Sequence, residues 1–490
     1  MFNMNNLDYD VIIVGLGPTG GTLANLLAMN NVSVLILEKE ANMYNLPRAV
    51  HFDDEIMRVF QTIGITKSLS KKLIINKGTK FIDDNGELLL DWPRPKKITE
   101  NGWYPSYRFH QPDLERSLRY NFKKYKNVTT VQNAEVCNTI NKKNYAEVNY
   151  KNTKTNKIYS LKSKYLIGCD GANSFLRNEI DSEMEHLGFE QRWAVIDVIL
   201  KRKKMDLPDR TIQYCSQSRP ATYCRNVGKR RRWEIALKKN ENSDTFFEEK
   251  TLWKFLSRWI VPDDAHIERK TIYKFQSAIA KKWRKGRIFL VGDAAHLTPP
   301  FMGQGMCAGI RDASNLAWKI TMCCKKGHNE TLLDTYQSER SSNVRDYIKT
   351  AMKMGELLNS IGKFEVSDTV FIQPDGSIKM NTIKPKLGKG LGISKDPNRG
   401  KIVPSLKNEL EKDIDFLYSC EPILITNQNV NKKKFNIKIF DITDIPKIET
   451  ILKKFKSDAL ILRPDRFIFA STNEKDLVNF SKLCLSQINN

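Results

Sequence analysis

A glycine-rich loop between an apolar strand and a helix constrains the fold of this chain more than any other feature. Tyr9 to Val14 form an apolar run typical of a buried strand, and Gly15-Leu16-Gly17-Pro18-Thr19-Gly20 follows it directly. Apolar residues then recur with helical spacing from Thr22 to Met29, and a second apolar run extends from Val32 to Leu37. This order predicts a βαβ unit whose G-x-G-x-x-G turn binds a dinucleotide.

Each glycine of this loop has its own steric task. Gly15 permits the tight turn after the strand, Gly17 lets the backbone approach a pyrophosphate, and Gly20 lets the helix pack closely on the strand. Pro18 and Thr19 begin a helix whose free amides and positive dipole end favour phosphate. Taken alone, such a loop is also compatible with a plain glycine-rich turn, and it does not separate FAD from NAD.

An acidic residue closes the second strand. Glu38 follows Gly20 by 18 residues, and a carboxylate at this position accepts hydrogen bonds from a ribose 2′-hydroxyl. The acid argues against a 2′-phosphate. We therefore expect Glu38 and the adjacent Lys39 at the adenosine end of the cofactor.

Two further strand-to-loop motifs occur far along the chain. Lys164 to Cys169 form an apolar run that ends in Asp170-Gly171, and Arg287 to Val291 lead into Gly292-Asp293. A turn-rich stretch and a helical pattern from Cys307 to Lys325 follow. Glycines before a helix leave amides that can face a negatively charged group, so these motifs predict further contacts to the same cofactor.

The charge of the chain raises other classes of partner. With 80 lysines and arginines against 56 aspartates and glutamates, the formal net charge is +24, which is typical of proteins that bind nucleic acid or anionic membranes. The basic residues are spread along the chain, however, and no recognition motif accompanies them. We interpret the one dense run, Lys229-Arg230-Arg231-Arg232, as a solvated hairpin turn, with nucleic-acid binding as the alternative.

Length, hydropathy and cysteine usage predict a multidomain cytoplasmic protein. A chain of 490 residues exceeds what one hydrophobic core usually supports. It has no apolar window long enough to span a membrane, and its first apolar run is too short for a signal peptide. The nine cysteines and six histidines lack the spacing of disulfide frameworks or metal sites. We expect reduced thiols, no metal, no integral membrane association and no nucleic-acid partner.

The three motifs in this order resemble the single-component (class A) FAD-dependent aromatic hydroxylases, the family that includes p-hydroxybenzoate hydroxylase. Longer strings resemble its 3-(3-hydroxyphenyl)propionate hydroxylase branch, and the resemblance covers about the first 345 residues. These strings are Pro47 to Glu55, Phe109 to Glu115, Arg219 to Tyr223 and Pro299 to Ala313.

The resemblance implies an α/β fold with a Rossmann-like FAD-binding domain, an inserted β-sheet substrate domain and a small thioredoxin-like C-terminal module. The FAD-binding domain would comprise residues 1–80, 100–178 and 284–355, and the substrate domain residues 81–99 and 179–283. Residues 356–404 would form a linker. Residues 405–490 would form the C-terminal module, which lacks C-x-x-C and would serve packing or dimerisation in a homodimer.

The resemblance also implies the cofactor contacts and the reaction. NAD(P)H would reduce FAD, dioxygen would form a flavin C4a-hydroperoxide, and one oxygen atom would pass to a phenolic or aromatic acid ring. The residues implied to contact FAD are Gly15, Gly17, Pro18, Thr19, Gly20, Glu38, Lys39, Arg48, Gln111, Asp170, Gly171, Gly292, Asp293, Pro300, Gly303, Gly305 and Met306.

The residues that act on the substrate are less well defined by sequence. His51 lies beside the flavin by motif position, and it could relay a phenolic proton. Tyr223 and Arg225 lie on strands of the middle sheet, and we expect all three to be catalytic. Arg219 is a second candidate cation for a substrate carboxylate. The other aromatics of the sheet, and His296 of the third motif, have packing as the alternative role.

Other functions remain open from the sequence. One is a flavin-dependent dehydrogenase, halogenase or monooxygenase that acts on a biosynthetic intermediate, although the halogenase string W-x-W-x-I-P is absent. Another is a basic flavoprotein that binds a partner and has no turnover. The replacement of a commoner proline- and glycine-containing stretch by Cys224-Arg225-Asn226 leaves the substrate undefined.

Overall fold

A computed structural model describes residues 7–202, 206–359, 370–374, 378–406, 420–428, 430–431, 435–441, 444–473 and 476–489. Within these ranges no helix is both long and apolar enough to cross a bilayer. Helices and strands are numbered in chain order. The helices are α1 Pro18–Ala28, α2 Asp54–Thr62, α3 Thr66–Leu69, α4 Gln111–Asn121, α5 Phe175–Glu179, α6 Ser243–Phe246, α7 Glu249–Leu256, α8 Gly305–Lys326, α9 Glu330–Asn359, α10 Lys447–Phe455 and α11 Leu477–Asn489.

The first sheet has a parallel core, and its strands are fully buried where they are most apolar. Val11, Ile12 and Ile13 of its central strand have no exposed surface, as expected for a parallel strand covered on both faces. The path β17-β18-β11-β1-β2-β8 is parallel from β18 to β8, and β9 and β10 extend β11 as an antiparallel meander. Its strands are β1 Tyr9–Val14, β2 Val34–Glu38, β8 Val128–Gln132, β9 Ala134–Asn141, β10 Ala146–Asn152, β11 Ile158–Gly168, β17 Arg284–Lys285 and β18 Ile288–Leu290.

The second sheet is larger and mostly antiparallel. Its order is β19-β16-β12-β15-β14-β13-β5-β6-β21-β20, and α7 covers part of one face through the buried side chains of Leu252 and Leu256. A small third sheet, β3-β7-β4, lies next to it. The strands are β3 His51–Asp53, β4 Ile74–Ile75, β5 Gly78–Ile82, β6 Leu88–Pro93, β7 Ser106–Arg108, β12 Met184–Leu200, β13 Thr211–Tyr214, β14 Ala221–Arg225, β15 Arg230–Ala236, β16 Ala265–Ala280, β19 His296–Leu297, β20 Val370–Ile372 and β21 Ile378–Met380.

The C-terminal residues form a separate four-stranded sheet with the order β23-β22-β24-β25. Strands β22 and β23 are parallel, whereas β24 is antiparallel to both of its neighbours. Helix α10 connects β23 to β24, and α11 follows β25. The thioredoxin-like assignment of this module stays a prediction. The strands are β22 Ile423–Thr426, β23 Lys438–Asp441, β24 Ala459–Leu462 and β25 Ile468–Thr472.

The predicted α/β fold of packed parallel and mixed sheets is confirmed, and most predicted elements lie within a few residues of the observed ones. Strand β1 has the predicted bounds, whereas the predicted C-terminal helix would include residues 474–475, which lie outside the described residues. The interpretation of Lys229 to Arg232 as a solvated turn was wrong in part. Arg230 to Arg232 belong to β15, and the Arg232 side chain is only 4% exposed and pairs with Asp197 at 2.7 Å.

A buried ionic cluster joins the C-terminal module to α8 and α9. Glu339 of α9 accepts hydrogen bonds from Lys319 of α8 at 2.8 Å and from Arg463 at 2.7 Å, and Arg463 also binds Asp465 at 2.7 Å. All four side chains are at most 1% exposed. Arg463 and Lys319 hold the pKa of Glu339 well below its usual value despite its burial, so two cations and two carboxylates satisfy each other in the interior.

Substitution of Glu339→Gln should destabilise the protein strongly, because it leaves two buried cations with one carboxylate. Breaking such a buried pair typically costs about 3–5 kcal/mol of unfolding free energy. Urea denaturation at pH 7 measures the change. Glu330→Gln is the matched control, since Glu330 is 60% exposed where it pairs with Arg284, and we expect a change below about 0.5 kcal/mol. Equal effects of the two substitutions would show that the buried cluster adds no stability.

Candidate functional site

Three loops meet at one edge of the first sheet. Because β1, β11 and β18 are parallel, the loops that follow them emerge at the same side of the sheet, where ligands bind in folds of this type. The contacts are close: a Cβ on Gly15 would lie 2.4 Å from the carbonyl oxygen of Cys169, and a Cβ on Gly292 would lie 3.0 Å from the Thr19 hydroxyl. The three sequence motifs therefore form one crevice.

The glycines of this crevice fall into two groups. Gly15 has a φ of +101°, and a Cβ on Gly20 would lie 2.1 Å from the carbonyl oxygen of Gly15, so both are required by the packing of the loop itself. For Gly17 and Gly305 the backbone is ordinary, and no described atom lies within 4 Å of an added Cβ. Protein packing does not explain these two glycines, whereas the close approach of a ligand does.

Gly17 and Gly305 stand at the N-termini of two long helices that face each other. Gly17 is the N-cap of α1 and Gly305 is the first residue of α8. Neither α1 nor α8 has a side-chain cap on its first amides within the described structure. Thr19 of α1 would contact a Cβ on Gly309, one turn into α8, at 2.5 Å, so both positive helix ends are directed at the same crevice. Two such ends favour a ligand with more than one negative group.

The Glu38 carboxylate lies at the end of β2 next to the first loop. It accepts hydrogen bonds from the backbone amide of Leu16 at 2.8 Å and from that of Glu40 at 3.0 Å, which fixes both oxygens. Each oxygen retains a second lone pair, so the carboxylate can still accept a ribose hydroxyl. The neighbouring Lys39 is exposed.

The segment around Arg48 is held from two sides. The Gln111 side chain accepts a hydrogen bond from the amide of Ala49 at 2.7 Å, and the Arg232 guanidinium donates to the carbonyl of Arg48 at 2.7 Å. The Arg48 side chain itself is exposed, with its guanidinium 4.8 Å from the ring centroid of Tyr44. Gln111 thus positions the backbone, while the Arg48 guanidinium is available at the mouth of the crevice.

The second loop is built around Asp170. Its carboxylate accepts hydrogen bonds from the Ser174 hydroxyl at 2.6 Å and the amide of Leu176 at 3.1 Å, and Gly171 turns the chain with a φ of +81°. Arg177 donates to the carbonyls of Ala172 and Ala294. This arginine connects the second loop to the third, a role that its position after the Asp-Gly motif does not reveal.

A buried carboxylate fixes the third loop. Asp312 of α8 accepts hydrogen bonds from the amide of Gly292 at 3.1 Å and from the Arg340 guanidinium at 2.7 Å, and it pairs with His296 at 2.6 Å. His296 has no exposed surface and packs against Trp283. The structure therefore favours the packing role for His296 over proton transfer.

Asp293 is exposed, in contrast to the buried Asp312. Desolvation by the surrounding protein raises the pKa of Asp293, while His296 and Arg48 act in the opposite direction. A carboxylate that is enclosed but open on one side suits a hydrogen-bonding ligand such as a polyol chain.

His51 lies against the turn that precedes α8. Its Nδ1 is 3.2 Å from the carbonyl oxygen of Gly303, whose φ of +64° and close approach to the imidazole require glycine. Pro300 begins this turn and Met306 follows Gly305 at the start of α8. Burial, together with the neighbouring Arg108, lowers the pKa of His51 to about 3. His51 is therefore a neutral imidazole at physiological pH.

The second sheet presents one face to this crevice and the other to α7. On the crevice side, Trp193 packs 5.6 Å from Phe301, and Arg232 holds the backbone at Pro47. Gln213 and Thr222 are hydrogen-bonded to each other on the same face. Strand alternation places these residues, with Cys224 and Glu234, on the inner face.

Tyr223 and Arg225 lie on the outer face of the second sheet, a position that does not support their expected catalytic roles. The Tyr223 ring packs 5.3 Å from Trp233, and its hydroxyl donates to the carbonyl of Pro208. Arg225 pairs with Asp209 at 3.2 Å, and the other expected substrate cation, Arg219, pairs with Glu241 at 2.6 Å. Since side chains alternate along a strand, the neighbours Thr222 and Cys224 face the crevice instead.

Comparison with known proteins identifies relatives of the same architecture. Residues 8–351 match the model of the family described as FAD binding domain. A probable NADH-specific resorcinol 4-hydroxylase of Rhodococcus jostii is 36% identical over 357 residues, 71% of this chain and 65% of that protein. A 3-(3-hydroxy-phenyl)propionate/3-hydroxycinnamic acid hydroxylase of Burkholderia cenocepacia is 31% identical over 349 residues, 71% of this chain and 63% of that protein. The alignments thus span less than two thirds of these relatives.

Solved structures share the fold at lower identity. Aklavinone-11 hydroxylase in complex with FAD and aklavinone has a TM-score of 0.80 at 16% identity, covering 99% of this chain and 100% of that one. The p-nitrophenol 4-monooxygenase of Pseudomonas putida has a TM-score of 0.65 at 22% identity, covering 72% and 89%. The first match extends through the C-terminal module, so the whole domain order recurs in another protein.

Gly17→Ala should weaken dinucleotide binding while the protein stays folded. The added methyl group occupies space that only a ligand would fill, so we expect at least a tenfold rise in the dissociation constant, or about 1.4 kcal/mol. The unfolding free energy of the apoprotein should change by no more than about 1 kcal/mol. Cofactor titration by fluorescence and urea denaturation of the apoprotein measure the two quantities.

Gly20→Ala is the matched comparison for Gly17→Ala. Its methyl group would collide with the carbonyl oxygen of Gly15, so the apoprotein itself should lose about 1–3 kcal/mol of stability. Unchanged binding by the Gly17→Ala protein would contradict the placement of a pyrophosphate at α1.

The neutral state of His51 should make the protein lose stability on acidification. The unfolded chain binds a proton at His51 near its ordinary pKa of 6.5, whereas the folded chain does so only near pH 3. The unfolded state therefore binds more protons below about pH 6.5, and the unfolding free energy falls as the pH falls. Between pH 7.5 and pH 5, His51 should account for about 2 kcal/mol of this loss.

His51→Gln tests this contribution, because glutamine can still donate to the carbonyl of Gly303 and does not titrate. The variant should show a smaller decrease in unfolding free energy between pH 7.5 and pH 5 in urea denaturation. Parallel curves for the two proteins would mean that His51 titrates normally in the folded state, despite Arg108, Arg94 and Asp53 beside it.

Proposed function

The chain belongs to the FAD binding domain family, and from this premise we propose that it is an FAD-dependent, NAD(P)H-using monooxygenase that hydroxylates a phenolic or aromatic acid ring. The observation that carries the proposal is the convergence of two uncapped helix N-termini on one crevice, with Gly17 and Gly305 leaving space there. FAD, when bound, supplies the redox chemistry and the activation of dioxygen.

The chain's own residues fit the parts of FAD. The amides of Thr19 and Gly20 at the start of α1 would bind the diphosphate, and Glu38 would accept a hydrogen bond from the adenosine ribose. Asp293 would hold the ribityl chain. The amides of Gly305 and Met306, with the positive end of α8, would stabilise negative charge on the flavin ring.

Other predicted contacts support these groups indirectly. Gln111 fixes the backbone of Arg48 through Ala49, and Asp170 shapes the turn at Gly171. The exposed guanidinium of Arg48 and the ammonium of Lys39 would attract the phosphates of FAD or NAD(P)H. The first loop would therefore bind the cofactor directly, whereas the second loop would mainly maintain the shape of the crevice.

The inner face of the second sheet would exclude water from the reacting ring. Trp92, Trp193 and Phe81 are buried there and form one apolar cluster with Met302 and Tyr347. Exclusion of water protects reactive intermediates from hydrolytic side reactions. The neutral imidazole of His51 would act there as a hydrogen-bonding group and not as a proton donor.

The relatives support the reaction class, since both that are described above are named hydroxylases of phenolic rings. The cytoplasm is the location we propose, because all nine cysteines are unpaired and NAD(P)H is available there. A homodimer and the choice between NADH and NADPH stay predictions.

The purified protein should be yellow and should oxidise NADH or NADPH faster when a phenol is present. The measurement is the decrease in absorbance at about 340 nm with resorcinol and with 3-(3-hydroxyphenyl)propanoate, with product hydroxylation checked by mass spectrometry. Absence of bound or bindable FAD would refute the proposal. FAD binding without any ring-stimulated oxidation of NAD(P)H would refute the hydroxylase activity but leave the cofactor assignment standing.

A further inference from the structure

Two arginines next to the inner face of the second sheet have no carboxylate partner among the described residues: Arg108 of β7 in the small third sheet, and Arg94, which directly follows β6. Neither Arg94 nor Arg108 lies within 4.0 Å of an acidic group in the part of the chain that the structure describes. Other inner arginines are paired: Arg232 with Asp197 at 2.7 Å, and Arg311 with Asp53 at 2.5 Å. Arg108 is buried, whereas Arg94 is half-buried. A buried cation without a partner is costly, so Arg108 in particular needs an explanation.

Arg108 is directed at the interior by strand pairing. It lies directly opposite His51 in the β3–β7 ladder, so the two side chains are on the same face of the small sheet. Arg108 is 7% exposed, and one of its terminal nitrogens donates to the Thr211 hydroxyl. Its Nε has no acceptor among the described residues. One edge of the guanidinium therefore lacks a partner.

Arg94 supplies a second cation at the same place. Its guanidinium lies 4.0 Å from the ring centroid of Trp92 and donates to the Thr382 hydroxyl at 2.5 Å. The indole N–H of Trp92 is also buried without an acceptor in the described part of the chain. Arg94 and Arg108 both lower the pKa of His51, which places both guanidinium groups near the imidazole.

The neighbouring carboxylates do not complete this group. Asp53 is occupied by Arg311 and by the amide of Ile56. Glu234 lies 3.7 Å from Arg232, and burial raises its pKa, so its charged form is disfavoured. The orphaned groups are all donors: the Nε of Arg108 and the indole N–H of Trp92. Two donors without acceptors, two guanidinium groups and a neutral imidazole are therefore neighbours, and this combination favours an anion.

We propose that Arg108, with Arg94, binds an anionic oxygen group of the aromatic substrate, either a carboxylate or an ionised phenol. The proposal rests on the proposed hydroxylase function and names its substrate class: a ring that carries an acidic oxygen. The anion would accept charge-assisted hydrogen bonds from the free edge of Arg108, which are stronger than those between neutral groups. The neighbouring His51 is neutral and adds a hydrogen-bonding group but no charge. Arg219 and Arg225 play no part, because surface carboxylates already occupy them.

Equilibrium binding to the FAD-loaded enzyme without NAD(P)H tests the proposal apart from turnover. The readout is the change in flavin absorbance or fluorescence on titration with 3-(3-hydroxyphenyl)propanoate, with its amide, and with resorcinol. If the bound anion is the carboxylate, the wild-type enzyme should bind the acid at least tenfold more tightly than the amide, since both compounds carry the same phenol. In that case Arg108→Met should weaken acid binding by about 30-fold or more and change amide binding by less than threefold.

Three further variants provide controls. Arg108→Lys keeps the charge and should retain part of the preference for the acid, and Arg94→Met should reduce it in the same direction. Arg219→Met is the matched surface substitution and should leave the affinities for all three compounds unchanged. If the Arg108→Met protein fails to fold or to retain FAD, the Lys variant and Arg94→Met decide the question.

The two sources of the anion differ in their dependence on pH. A carboxylate predicts equal acid binding at pH 7 and pH 9, whereas a phenolate predicts that resorcinol binds more tightly at pH 9 and that Arg108→Met removes this gain. Equal affinity for acid and amide together with pH-independent binding of resorcinol would overturn the proposal. If neutral phenols nevertheless stimulate NAD(P)H oxidation, the hydroxylase function stands without it. If no ring compound does, the function fails, whatever the binding preference.

Discussion

The site depends on how closely three loops can approach one another at the carboxyl edge of the first sheet. Gly15 contacts the backbone at Cys169, Gly20 contacts Gly15, and Thr19 fills the space beside Gly292 and Gly309. A side chain at Gly15 or Gly20 would collide with the backbone of the first two loops, and one at Gly292 or Gly309 would push Thr19 of α1 away from the third loop and α8. The close approach brings two helix N-termini to one crevice, and the positive potential there follows from backbone geometry. The cofactor site thus results from the close approach of the three loop backbones.

A different arrangement supplies charge on the substrate side of the crevice. The inner face of the second sheet buries several arginines, and most are neutralised by a carboxylate on a neighbouring strand, as Asp197 of β12 does for Arg232 of β15. Such pairs hold strands and the Pro47 segment in register, at little net electrostatic gain. An arginine that is left unpaired in this environment retains most of its capacity to bind an anion. Whether an arginine can bind an anionic ligand depends on whether a neighbouring carboxylate already pairs with it. The net charge of +24 does not decide this.

The sequence predicted the βαβ unit and the three loops, because each rests on local patterns: buried strands and glycines at turns. The individual cofactor contacts, among them Glu38, stay predictions. It did not predict which face of the second sheet would meet the crevice. Along β14, Tyr223 and Arg225 point to one face of the sheet, and Thr222 and Cys224 point to the other. Both pairs contain residue types that occur in half-buried strands, so the sequence does not show which pair faces the crevice. Only the packing of α7 on one face decides between them, and this contact is not local in sequence. The role that we propose for Arg108 was missed for the same reason, although Arg108 directly precedes the string Phe109 to Glu115.

The C-terminal module acquires a structural role from the same reasoning. It lacks the cysteine pair of a redox-active domain, yet it places Arg463 and Asp465 against Glu339 in the interior. Glu339 precedes Arg340, which binds Asp312, and Asp312 in turn holds the amide of Gly292. Glu339, which pairs with the C-terminal module, and Arg340, which acts on the third loop through Asp312, are adjacent residues of α9. The module therefore helps to fix α9, and α9 helps to fix the third loop. The C-terminal module can therefore support the cofactor crevice through α9.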